Sequence, residues 1–207
     1  MHNSWNENKI LLRGTLSRMP SPSHVNHTVQ YDLLPLTVPR LSGAEDRLNV
    51  VAAQHLLEGL DLYEGAPLTV RGEVRTFNNR SGVGSKLVVS VFAKTLTQEE
   101  GPEENRLELS GVLCKSPVLR STPLGRTICD MILAVNRRYG RADYLPCIAW
   151  GSLAHRCGAM EVGDSLSLAG RLQSRCYTKL VDGQLQERTA FEVSIMSLDP
   201  QQDQYPA

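Results

Sequence analysis

The chain has 207 residues, enough for one large domain or two small ones. Its 22 Lys+Arg balance 22 Asp+Glu, which excludes a polybasic condensing protein, and 41% hydrophobic with 21% charged residues excludes wholesale disorder. No apolar run approaches the about 18 residues that cross a bilayer, and Met1–Lys9 is polar with no signal-peptide core, so a cytoplasmic location without a membrane partner is expected. All five cysteines follow residue 113 with no C-x-x-C spacing, which points to reduced thiols rather than a disulfide framework. The cations are unevenly chosen, 17 Arg and 5 Lys, and arginine's planar fork both stacks on rings and grips phosphate.

Taken in chain order, residues 8–20 (NKILLRGTLSRMP) open the first strand region, and Leu36–Arg40 lies in a later strand. Ala52–Leu60 breaks the alternation, and Ala53, Leu56, Leu57 and Leu60 fit one face of a short amphipathic helix. Glu64–Gly72 leads back into strand. Thr97–Glu104 holds four Glu, a Gly and a Pro, a solvated, turn-prone linker. The pattern then restarts. NRLELSGVLCKSP at 105–117 repeats 8–20 at an offset of 97, and Leu133–Arg137 repeats Leu36–Arg40 at the same offset. Ser152–Met160 is the second expected helix, and Val162–Gly170 repeats Glu64–Gly72 one residue further out of step.

A period near 97 is too long for a solenoid and matches a small domain, so two tandem copies are expected. Each reads as strand, strand, strand, helix, strand, strand. That is the order of the OB-fold, a five-stranded Greek-key barrel with a helix between its third and fourth strands. The expected architecture is therefore all-β, two tandem OB-fold barrels: 1–96, a degenerate and architectural copy; 97–104, the linker; 105–199, the copy with a binding face; and 200–207, a short polar tail.

Strand parity then assigns faces. Along 165–177, Leu166, Leu168, Gly170 and Leu172 can face a core, while Arg171, Arg175 and Tyr177 share the other side with Gln173. Near 132–139, Leu133, Val135, Arg137 and Tyr139 fall on one face, with Arg138 beside them, and Tyr144 and Trp150 share a face six residues apart. Residues 106–156 carry eight basic and three acidic side chains, so a neutral chain hides a basic region. Interleaved arginines and aromatics suit single-stranded nucleic acid, whose unpaired bases stack on rings while arginines neutralise phosphate.

The segments RLELSGVLCKSPVLRSTPLGRTI, ILAVNRRYGRADYLPCIAWGSLAHRC, VGDSLSLAGRLQSRCYTKLVDGQ and FEVSIMSL, in unbroken order over about 95 residues, resemble a bacterial single-stranded DNA-binding protein of the OB-fold type. The resemblance implies a homo-oligomer that coats single-stranded DNA without strong sequence preference. It places the stacking positions on Tyr139, Tyr144, Trp150 and Tyr177. The first copy departs from the pattern, with Ser42, Arg47, Ala53 and Asn79 at the equivalent positions. It keeps Arg71, Arg75 and Phe77 on one strand parity as secondary candidates. A homodimer would supply the four OB domains that such proteins assemble, and the ending Gln201–Ala207 has no acidic tip for recruiting replication proteins.

His24, His27, His55, His155 and Cys157 show no metal-ligand spacing, and no catalytic constellation is visible, so neither an enzyme, a metal nor a cofactor is expected. The competing readings are a primosome-type or mobile-element accessory protein, and an OB-fold interaction scaffold without nucleic-acid binding.

Overall fold

The computed structural model describes residues 7–79, 86–137, 140–181 and 183–198. The first copy contains β1 (Asn8–Leu16), β2 (Ser21–Asn26), β3 (Val29–Pro39), β4 (Glu45–Ala53), β5 (Pro67–Asn78) and β6 (Leu87–Thr97). The second contains β7 (Glu104–Leu113), β8 (Val118–Ser121), β9 (Thr127–Asn136), β10 (Ala142–Trp150), a helix α1 (Ser152–Gly158), β11 (Ser165–Val181) and β12 (Gln184–Leu198). No strand is assigned between Thr97 and Glu104, where the sequence suggests a linker.

The two copies have the same topology. Neighbours run β2-β3-β4-β6-β5-β1 in the first and β8-β9-β10-β12-β11-β7 in the second. Each has a parallel pair at the same place, β4 with β6 and β10 with β12. Each closes through its first strand, β1 onto β3 and β7 onto β9. A five-stranded barrel results in both cases, with β2 or β8 added on its edge. This is the OB-fold in tandem.

The repeat is above all a repeat of core positions. Leu12, Leu16, Leu36 and Leu48 are fully buried, and so are Leu109, Leu113, Leu133 and Leu145 at the constant offset of 97. Burying such a side chain contributes about 1.5–3 kcal/mol, which is enough to fix strand parity throughout each barrel.

Barrel closure also explains a repeated glycine. The first strand bends to meet the third, and a Cβ on Gly14 would lie 2.3 Å from the Thr37 carbonyl oxygen. At Gly111 the same atom would lie 2.5 Å from the Ala134 oxygen. Both obstacles are backbone and cannot swing away. Gly14→Ala and Gly111→Ala are each expected to destabilise the protein by about 3 kcal/mol, measured by denaturant unfolding.

The helices differ from expectation in one copy. Ser152–Gly158 is helical and buries Ala154 and Cys157. In the first copy the expected helix over Ala52–Leu60 shrinks to a 3-10 turn, Gln54–Leu57, with no buried residue. Ala52 and Ala53 instead extend β4, paired with Asp32 and Tyr31, and Gly59 at φ +79° follows the turn. With Leu56, Leu57 and Leu60 only half-buried, no packed apolar face sustains further turns.

By contact, the described chain forms two compact units. One combines Ile10–Asn105 with Gln173–Phe191, and the other combines Arg106–Leu172 with residues 7–9 and 192–198. The outer part of the β11–β12 hairpin thus groups with the first copy. No described helix is long and apolar enough to cross a membrane.

All five cysteines are free. Burial pushes the Cys129 thiol up, raises Cys157 to about 11 and raises Cys147 further still. Cys114 and Cys176 are exposed. A thiol reagent should therefore titrate two groups in the native protein and five after denaturation.

Candidate nucleic-acid interface

In the unit built on Arg106–Leu172, β10 displays the expected aromatics. Leu145, Cys147 and Ala149 are buried in the barrel. Tyr144 and Trp150 lie on the opposite parity and are 52% and 39% exposed. Cross-strand pairing sets Tyr144 against Ala134 and Trp150 against Ile128.

The pairing adds a residue outside the sequence-derived set. Ile128 also pairs with Arg120 of β8, so Arg120, Ile128 and Trp150 form one row across three strands. The guanidinium donates to both carboxylate oxygens of Asp130, one bond being 3.3 Å. Sequence parity could not place Arg120, because the four-residue β8 gives no register of its own.

Arg137 has a different setting from the expected one. Leu133 and Val135, with which it shares parity, are buried, so their common face looks into the core and not outward. The outward residues of β9 are Ile132, Ala134 and Asn136. The Arg137 guanidinium makes a two-pronged ion pair with the completely buried Asp143 carboxylate. Arg40 and Asp46 make the same pair in the first copy, again at an offset of 97.

Arg171 is half-buried on the parity opposite to Leu166, Leu168 and Leu172. Its Nε is buried without a hydrogen-bond partner among the described residues. Tyr139 and Arg138 lie outside the described residues.

Arg175 and Tyr177 belong to the other unit. They sit on one side of β11, with the Arg175 guanidinium carbon 5.7 Å from the centre of the Tyr177 ring, a cation–π contact. Their strand is held just before them. The Ser174 N–H donates to Asp46 (2.8 Å), its carbonyl accepts from Arg40 (3.1 Å), and its hydroxyl accepts the Arg47 N–H (2.8 Å).

Among the secondary candidates, Phe77 is 54% exposed at the outward end of β5. The two arginines on that face are already engaged: Arg71 with Glu99 at 3.4 Å, and Arg75 with Glu73, which also takes Lys94. The structure thus brings Tyr144 and Trp150 onto one face of one unit and joins Arg175 to Tyr177 in the other. No described group of His, Cys, Asp and Glu could hold a metal ion.

The model of the single-strand binding protein family matches residues 104–200, which is the second copy. Single-stranded DNA-binding protein 2 of Listeria innocua is 35% identical over 80 residues, covering 35% of this chain and 50% of its own length. Single-stranded DNA-binding protein B of Bacillus subtilis is 34% identical over 80 residues, and those cover 71% of it. The chain belongs to the single-strand binding protein family. The likeness in architecture extends over both copies: the wild-type single-stranded DNA binding protein from Thermus aquaticus superposes with a TM-score of 0.74 at 26% identity, covering 94% of this chain and 92% of that one. The family likeness in sequence is concentrated in the second copy, where the exposed Tyr144 and Trp150 lie. The chain spans only half of the Listeria protein.

Proposed function

We propose that this protein coats single-stranded DNA with little regard to sequence, in replication, recombination or repair, and performs no catalysis. The observation that carries this reading is the outward, solvent-open pair Tyr144 and Trp150 on β10, in the copy that the family model matches. Each ring offers a base the π-face it loses when the duplex opens, and every base has such a face, so the contact is tolerant of sequence. Arg171 and Arg175 supply phosphate contacts, and Tyr177, backed by Arg175, supplies a further ring. Tyr139, by the family resemblance, and Arg138, its neighbour in the sequence, complete the set. The acting species is a homodimer with four barrels.

Arg120 is added to this set, because its row ends in Trp150. Its ion pair with Asp130 is exposed, so a phosphate can compete for it at little cost.

The test is a titration of the protein with oligo-dT, followed by tryptophan fluorescence and by anisotropy of a labelled strand at several salt concentrations. Quenching is expected, together with an affinity whose logarithm falls linearly with the logarithm of salt. Absence of binding at low salt would leave the barrels as an assembly module whose rings only pack.

A further inference from the structure

The first copy has no aromatic where the second has Trp150, since Ala53 occupies the place. The pairing pattern nevertheless shows rings nearby. In the second copy one row across the sheet reads Arg120, Ile128, Trp150. The matching row of the first copy, on strands two, three and four, reads His24, Tyr31, Ala53. The aromatic has moved one strand towards the edge, and a nitrogen-bearing planar side chain again occupies the edge strand.

The rings of this first row are organised. His24 and Tyr31 stack with centroids 4.9 Å apart and planes 6° from parallel. Tyr31 then meets Phe92 of β6 at 5.5 Å, tilted by 41°. Burial falls along the file: Phe92 and Tyr31 are half-buried, and His24 is exposed. Ser23 Oγ is hydrogen-bonded to His24 Nδ1 at 3.1 Å, which helps hold the imidazole over Tyr31. A file that served only to seal the barrel would end under cover. This one ends in a ring open to solvent, where one more flat π-system can continue the stack.

The acid that pairs across the sheet with Phe92 is Glu73, and it is covered by both Arg75 and Lys94. No bare carboxylate therefore lies beside the rings at that point.

We infer that His24, Tyr31 and Phe92 form a second stacking site, on which the first copy takes a base of single-stranded DNA. This rests on the reading of the chain as a single-strand coating protein, and it gives the first copy a binding role instead of a purely architectural one. His24 makes the contact, Tyr31 backs it, and Phe92 fixes Tyr31.

The test uses the full chain and oligo-dT carrying photoreactive 5-iodouracil, with cross-linked peptides mapped after irradiation, alongside anisotropy titrations of His24→Ala and Tyr31→Leu. His24 is exposed, so its removal leaves the fold intact, and leucine keeps an apolar side chain against Phe92. The expected result is a cross-link at His24 or Tyr31 and an affinity lowered about fivefold or more by His24→Ala. Cross-links confined to the second copy, with His24→Ala binding as tightly as wild type, would overturn the inference and leave the coating function standing. Failure of the wild-type protein to bind oligo-dT at all would instead remove the functional reading on which the inference rests. Should Tyr31→Leu unfold, His24→Ala and the cross-link map still decide.

Discussion

Trp150→Ala is expected to weaken binding of oligo-dT by about 10- to 100-fold, with Tyr144→Ala causing a smaller loss, because stacking contributes about 1–3 kcal/mol per base and indole presents the larger face. Both side chains are substantially exposed and point away from the buried Leu145, Cys147 and Ala149. Tyr144→Ala should accordingly leave the melting temperature nearly unchanged, and Trp150→Ala, whose indole shares a row with the buried Ile128, should lower it only modestly. Anisotropy of a labelled strand measures the first effect and thermal unfolding the second. The slope of log affinity against log salt should also survive, since no phosphate contact is removed. A loss of affinity accompanied by an equal loss of stability would instead mark these rings as packing groups. The double variant separates independent contacts from a shared one: additive losses mean that each ring holds its own base.

Much of this architecture was legible in the sequence, for a physical reason. A β-barrel core demands large apolar residues at fixed parity, and two barrels of one topology demand them twice, so Leu12, Leu16, Leu36 and Leu48 could reappear at 109, 113, 133 and 145. Gly14 and Gly111 recur because strand closure leaves no room for a Cβ. That Tyr144 and Trp150 share a face followed from alternation, and the burial of Leu145, Cys147 and Ala149 on the other parity shows which face it is. What alternation could not give is the identity of cross-strand neighbours, which depends on turn lengths and bulges. For that reason the file His24–Tyr31–Phe92 escaped a comparison at constant offset: it draws on β2, β3 and β6 and involves the irregularity between Pro22 and His24. The helix expected over Ala52–Leu60 failed differently. Its apolar spacing is genuine, but Ala52 and Ala53 gain more from staying in the β4 ladder than from starting a helix with nothing to bury.

Arg137 shows how parity can be right and its reading wrong. Its face was inferred correctly as the one shared with Leu133 and Val135, but that face is the interior. A guanidinium there needs a counter-charge, and Asp143 supplies it with both oxygens. The Asp143 carboxylate is completely buried while the Arg137 side chain keeps 23% exposure, so it is loss of the arginine that strands a buried charge, at a typical cost of about 3–5 kcal/mol. Arg137→Ala is therefore expected to destabilise the protein by about that amount in denaturant unfolding. Arg137→Lys should destabilise it too, since an ammonium cannot reproduce the two-pronged grip. Neither change should alter the salt slope of DNA binding measured on the folded fraction, whereas losing a true phosphate contact lowers that slope by about 1. Arg175→Ala provides the contrast: exposed beside Tyr177, it should reduce the slope with little effect on unfolding. If Arg137→Lys instead flattened the salt dependence at unchanged stability, its guanidinium would have to leave Asp143 for phosphate when the strand binds, and the ion pair would be a resting position of a binding residue.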